Sequence, residues 1–232
     1  MPKTFLDRMK HMMLTSKQTS EITTSTSEHI VLNTKQPLAP HILNATAEQG
    51  FLTGQLLVAT PVITTGCFHK SVVYIFAHSA EGAMGVIINQ PLDLVNFATL
   101  VEGLNLPENA VNKEIPVYYG GPVDRARGFV MHTSDYHKEH TIHAGGDISV
   151  TASAMILDDI MLGKGPRKSA LIVGYSGWSA GQLEQEIEQN NWINVPASAE
   201  LVFDTDNEFK WISSSKSLGI DMNFFSTTVG HA

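Results

Sequence analysis

Cysteine is almost missing from this chain. The one cysteine among 232 residues, Cys67, has no partner within the chain, so no intrachain disulfide holds the fold, and a reducing, cytoplasmic setting is expected. Long apolar runs are missing too. The longest, such as Val72 to Ala77, are strand-sized and far short of the roughly 18 residues of a membrane span, so no membrane association is expected. Charge is sparse, at 16% of residues, and basic charge is the scarcer sign. Residues 1–50 hold five Lys/Arg and four Asp/Glu; of the chain's fifteen and twenty-three, ten Lys/Arg and nineteen Asp/Glu remain for residues 51–232. A body at −9 repels phosphate backbones, so direct nucleic-acid binding is not expected. The basic clusters are small: Arg125 with Arg127, and Lys164 with Arg167 and Lys168.

What is present is a core. A hydrophobic content of 43% over this length supports one sizeable domain. Residues 1–46 are set apart: Thr15 to Ser27 is nearly all polar and no periodic apolar face develops, which predicts a flexible extension before a single domain over 47–232. Asp7, Arg8 and Lys10 interrupt any secretory apolar region. Strands are predicted at Gln55–Ala59, Ser71–Ala77, Ala83–Asn89, Pro116–Tyr119, Gly128–His132, Asp147–Thr151 and Leu171–Tyr175. Short late strands are predicted at Glu200–Phe203 and Phe209–Ile212. Helical spacing predicts helices at Leu92–Leu104, Ser153–Leu162 and Gln182–Asn191. Strands in hairpin-like pairs with helices between them indicate α+β.

The most informative stretch is Ala170 to Trp192. A buried strand, Leu171-Ile172-Val173, runs into Gly174, Gly177 and Gly181 with Trp178 among them, and then into a helix. Gly177-Trp178-Ser179-Ala180-Gly181 matches the G-x-S-x-G nucleophile pattern literally. The match lacks its partners, since the only histidine downstream is His231. Ser179-x-x-Gln182 is also a capping-box pattern, and a helix cap is the preferred reading. Gly177 and Gly181, with Gly120-Gly121, are read first as tight turns, and as cradles for a small anion second. Glu184, Glu186 and Glu188 could suggest acid–base work, but Glu184 and Glu188 share one helix face and Leu183 and Ile187 another, so the carboxylates are read as a solvated face. His137, His140 and His143 are spaced for no familiar zinc pattern and are read as a polar loop without metal. His78 and His132 end apolar strands and are read as structural histidines, or as general bases if there is catalysis.

An ordered set of motifs now coincides. It runs through Gln55-Leu56-Leu57-Val58-Ala59-Thr60-Pro61, Ser71-Val72-Val73-Tyr74-Ile75 with His78, and Gly82-Ala83-Met84-Gly85-Val86-Ile87-Ile88-Asn89-Gln90-Pro91. It continues with Gly120-Gly121-Pro122-Val123, Gly174-Tyr175-Ser176-Gly177-Trp178, Gly181-Gln182-Leu183-Glu184-x-Glu186, Trp192 and a terminal Gly230-His231-Ala232. Together these resemble the YqgE/AlgH family of bacterial proteins over residues 50–232. The resemblance implies an α+β fold with a mixed, partly barrel-like β-sheet surrounded by helices. It carries the label of transcriptional regulator but implies no reaction and no cofactor. Two functional classes stay open: a regulator acting through a protein partner rather than by reading DNA, and an enzyme, such as a hydrolase, that binds a small anionic or phosphate ligand. For either, the expected ligand pocket gathers Asn89, Gly120, Gly121, His132, Gly177, Trp178 and Gln182.

Overall fold

The structure is a computed structural model that describes residues 51–93, 97 and 114–220. The N-terminal extension and nearly all of the helix expected at Leu92–Leu104 lie outside the described residues. The strands are β1 (Gln55–Ala59), β2 (Val72–Ser79), β3 (Gly82–Ile87), β4 (Val117–Tyr119), β5 (Val123–Thr133), β6 (Thr141–His143), β7 (Ile148–Thr151), β8 (Ser169–Ser179) and β9 (Trp192–Pro196). The helices are α1 (Met155–Met161), α2 (Gln182–Glu188), α3 (Ala199–Phe203) and α4 (Asn207–Lys216). All these strands join one mixed sheet in the order β6-β7-β5-β8-β3-β2-β1-β9, with β4 added parallel to β8 and every other pair antiparallel.

The sheet curls, and its strands are apolar on both faces because alternate residues turn to each side. The inner face collects Leu56, Val58, Tyr74, Phe76, Met131, Ile148, Val150 and Ile172 from both ends of the strand order into one core. The curl is nearly closed at one point. A Cβ on Gly54 would lie 2.2 Å from the Ala144 carbonyl oxygen, so only glycine admits this approach. The Tyr74 hydroxyl donates to the Ile148 carbonyl from across the barrel. Val202 of α3 and Trp211 of α4 complete the inner core, and Trp211 Nε1 donates to the Ala59 carbonyl at 2.7 Å. The outer face is covered in two patches. Ile156, Leu157 and Ile160 of α1 cover Val117, Val130, Leu171 and Val173. Leu183 of α2 covers Leu57, Val73, Ile75 and Ile87 with Trp178 and Trp192. The fold is therefore α+β around a half-barrel, as the resemblance implies.

Both late strands expected from the sequence are helices. The run Glu200–Phe203 is too short for its apolar residues to separate the two periods. Ser198 was the deciding signal: its side chain accepts from the Leu201 amide at 3.1 Å and caps α3. In α4 the hydroxyls of Ser214 and Ser215 bond back to the carbonyls of Lys210 and Ile212, which satisfies them where they are buried, while Trp211 packs the helix on the inner core. Strand β9 was not expected. It pairs with β1 from Gln55↔Pro196 to Ala59↔Trp192, so β1 supplies the order that its own alternation does not announce.

Candidate functional site

Strand β8 spans the whole site question, because the motif-rich stretch is its far end and the cleft described below is its near end. At the far end the strand does not stop at Tyr175 but runs through Gly177 and Trp178 to Ser179. Gly181, with φ of 73°, is the N-cap of α2, and no side chain caps it. Ser179 is therefore not the cap. Its amide and hydroxyl both donate to Gln182 Oε1 at 3.0 Å, so only the reach-back half of the capping box exists. Gln182 Nε2 donates onward to Glu186 Oε1 at 2.9 Å. The other Glu186 oxygen accepts from Trp178 Nε1 at 2.9 Å and from Trp192 Nε1 at 2.8 Å. One carboxylate thus ties strand β8, helix α2 and strand β9 together, and the rings of Trp178, Trp192 and Phe68 pack beside it. The sequence reading passed over Glu186 as part of a solvated face; its signal was the pair of tryptophans eight residues before it and six after it.

The other expected pocket residues are spent elsewhere. Asn89 closes the β2–β3 hairpin from outside: its Oδ1 accepts from the Val72 amide and its Nδ2 donates to the Lys70 carbonyl. A Cβ on Gly120 would lie 2.3 Å from the Gly174 carbonyl oxygen, and one on Gly121 would lie 2.4 Å from the Tyr175 carbonyl. These glycines let the β4–β5 turn press against β8. His132 is fully buried opposite Ser169. Its Nδ1 donates to the Thr133 carbonyl and its Nε2 accepts from Thr151 Oγ1, both at 2.8 Å. Burial holds its pKa below the ordinary imidazole range, outweighing the Thr133 bond and Asp135, so the ring is neutral. Ser169 and Trp178 are nine positions apart on β8, roughly 30 Å of extended chain. Gly177, Trp178 and Gln182 therefore share one end of the strand, and His132 lies at the other. His78 is a tie as well: Nδ1 accepts from the Leu52 amide at 3.0 Å and Nε2 donates to Glu184 at 2.9 Å.

The near end of β8 is different. A cleft of about 280 Å³ opens between the lead-in to β4, the start of β8 and the end of α3. Ile88, Tyr118, Met131, Ile172, Val202 and Phe203 make it largely apolar. Ser169 borders it, but alternation along β8 turns its side chain to the His132 face of the sheet, away from Met131, Ala170 and Ile172, which line the cleft; its hydroxyl is buried and has no hydrogen-bond partner, alone in this among the buried side-chain polar atoms of the described residues. A buried hydroxyl without a partner is costly. At the rim Lys168 Nζ reaches both oxygens of Asp204, and Arg167 pairs with Asp135 through its side chain at 3.4 Å and its amide at 3.1 Å. Burial would raise the Asp135 pKa, but the bonds from Thr133 and the Arg167 amide overcome it and hold the carboxyl below the usual range. The basic cluster seen in the sequence is thus neutralised rather than presented to a polyanion. Behind the wall, Lys210 is 2% exposed. Its Nζ donates to the Ile88 carbonyl and to Asn207 Oδ1, each at 2.9 Å, and lies 5.0 Å from the Tyr118 ring centre. Burial pulls its pKa down to about 8 against the pull of Asp206. Among the described residues no helix is long and apolar enough to cross a membrane.

Comparison with known proteins matches this architecture. A UPF0301 protein of Mesorhizobium japonicum is 46% identical over 194 residues, 80% of this chain and 95% of its own length. One of Rickettsia prowazekii is 41% identical over 184 residues, 78% of this chain and 96% of its own. The solution structure of the AlgH protein from Pseudomonas aeruginosa is 34% identical, with a TM-score of 0.64 over 81% of this chain and 99% of that one. A crystal structure of a Corynebacterium diphtheriae protein, 21% identical, shares the fold at a TM-score of 0.61, covering 83% of this chain and all of that one. The family model described as AlgH-like matches residues 56–223, from the first strand past the last helix, and the chain belongs to the AlgH-like family.

Proposed function

We propose that this protein binds a small amphipathic molecule in the cleft at the start of β8 and works by binding rather than turnover. The observation that carries the reading is a largely apolar cleft of about 280 Å³ with the Lys168–Asp204 pair at its rim. The apolar wall suits the body of such a ligand, and the Lys168–Asp204 pair suits its polar end. His132, opposite Ser169, has both ring nitrogens bonded to Thr133 and Thr151, and Ser179 at the far end is occupied by Gln182, which favours a binding protein over a hydrolase. A binding module of this kind fits the regulator label if ligand occupancy changes contact with a protein partner. The −9 body favours such a partner over a nucleic acid.

The test is NMR titration of the labelled full chain with hexanol, hexanoate and hexylamine. Saturable shifts at Ala170, Ile172, Tyr118 and Val202, reduced at least several-fold in Phe203→Ala, are expected from at least one probe. Shifts confined to other regions, or unchanged affinity in the variant, would overturn the reading. A labelled duplex at physiological salt should show no sub-micromolar binding, since even non-specific binders reach only roughly micromolar affinity there.

A further inference from the structure

Away from the cleft, the polar stretch between β5 and β7 holds a second group of side chains. The Tyr136 hydroxyl donates to Asp159 Oδ2 of α1 at 2.6 Å, and Lys138 Nζ pairs with the same oxygen. The residues on both sides of His137 are thus anchored to one carboxylate, which fixes the backbone that carries the ring. On the other arm, β6 sets His143 directly opposite Ser149 of β7, and Ser149 is opposite His132 of β5. Opposed residues of antiparallel strands share a face, so Ser149 stands between the two rings. Its hydroxyl lies 2.9 Å from His143 Nδ1. The remaining His143 nitrogen, Nε2, faces His137 Nδ1 at 2.5 Å, with the ring centres 4.6 Å apart. His140 takes no part. It sits in a left-handed turn with φ of 65°, and its Nε2 lies nearest to Glu139, at 3.8 Å.

Two imidazole nitrogens so close cannot both present lone pairs to empty space. Something positive must lie between them, either a shared proton or a metal ion. We propose that His137 Nδ1 and His143 Nε2 form a site for a divalent transition ion of the zinc, nickel or copper class, with Ser149 as the orienting partner of His143. This reverses the expectation, drawn from spacing alone, that the stretch is a loop without metal.

The chemistry fits in three respects. Imidazole nitrogen suits these ions, while magnesium and calcium prefer oxygen. A ligating histidine normally donates its other ring N–H to an acceptor, and Ser149 Oγ is placed to accept from His143 Nδ1, which leaves Nε2 free for the metal. Two nitrogens each about 2.0–2.1 Å from one ion stand about 3 Å apart, so the rings need part by less than ~1 Å. Both rings are exposed, and that motion disturbs no packing. Among the described residues no third His, Cys, Asp or Glu completes the group, so water fills the remaining positions and the ion is exchangeable.

The test uses the full chain without an affinity tag, stripped by chelator, because other histidines lie outside the described residues. Zinc and nickel are titrated by calorimetry at pH 7.5, with histidine-ring NMR reporting which nitrogens respond. His137→Ala and His143→Ala should each weaken one binding event at least tenfold, whereas His140→Ala should change it less than twofold. Ser149→Ala should cost about tenfold, in the range of orienting partners elsewhere. Magnesium should give no response at these rings. Identical titrations of wild type and the His137→Ala/His143→Ala double variant would overturn the proposal, as would loss of the site in His140→Ala. Because both paired histidines are exposed, unchanged melting temperatures in chelator should confirm that the variants fold.

Discussion

The two ends of strand β8 carry opposite kinds of polar chemistry. At the far end each polar side chain has found a partner: Ser179 with Gln182, Gln182 with Glu186, and both indoles with Glu186. At the near end Ser169 has none, and an open cleft lies beside it. The far end is rich in glycine, tryptophan and glutamate, the residues that attract attention in a sequence. The near end is a serine after a basic pair. The difference teaches that a conspicuous motif can be fully consumed in holding a fold together, while an inconspicuous stretch of the same strand borders the open cleft. Polar satisfaction, not motif density, separates the two.

The comparison breaks most visibly at Glu186. If its carboxylate is the clamp of the far end, Glu186→Ala strands two indole N–H groups and should cost about 3 kcal/mol. For a domain of this size that is a fall of roughly 6–12 °C in melting temperature. Glu186→Gln, which keeps an acceptor, should lose less than half as much. A melting temperature within a degree of wild type for Glu186→Ala would show that the far end is not tied through this residue.

At the near end the buried amine of Lys210 gives a pH signature. The unfolded amine, with an ordinary pKa of 10.5, keeps its proton through pH 8–10, while the folded one sheds it near 8. The unfolded state then binds more protons, so stability rises with pH across that window. Denaturant midpoints should climb from pH 8 to pH 10 in wild type relative to Lys210→Met, where the rise is absent. Parallel curves would place the amine in contact with water.

Two serines of the same strand sharpen the contrast further. Ser176 is buried and its hydroxyl donates to the Gly120 carbonyl, so Ser176→Ala should cost about 1 kcal/mol. Ser169→Ala removes a hydroxyl that has no partner and should be neutral or slightly stabilising. Equal losses in urea unfolding would mean that the two hydroxyls are equally satisfied. The smallest effect is expected at exposed Ser179, where Ser179→Ala should change stability by less than about 0.5 kcal/mol, because the Gly181 backbone begins α2. A loss near 2 kcal/mol would restore the capping reading.

Much of the scaffold was legible because its strands are long alternations of Val, Ile, Leu and aromatic residues. β1, β2, β3, β7 and α1 lie within a few residues of their expected bounds. Local pattern failed at both ends of its range. Glu200–Phe203 is too short to reveal a period, and α4, expected in part as a strand at Phe209–Ile212, buries the polar Lys210, Ser214 and Ser215. The strand Thr141–His143 was read as loop because its order comes from pairing with β7. Of the expected pocket, the grouping of Gly177, Trp178 and Gln182 was visible from adjacency in sequence. The separation of His132 from them was not, because only the length of β8 sets it.

By itself the sequence determined the α+β composition, the strand periodicity and the glycines that close backbone approach requires, because these are properties of neighbouring residues. Tertiary structure alone decided that Glu186 serves two tryptophans, that Asp135 and Asp204 neutralise Arg167 and Lys168, and that His143 meets His137 and not His140. It also decided which serine stays unsatisfied. Hydrogen bonds and ion pairs act over about 3–4 Å, and only the folded chain brings distant residues within that reach.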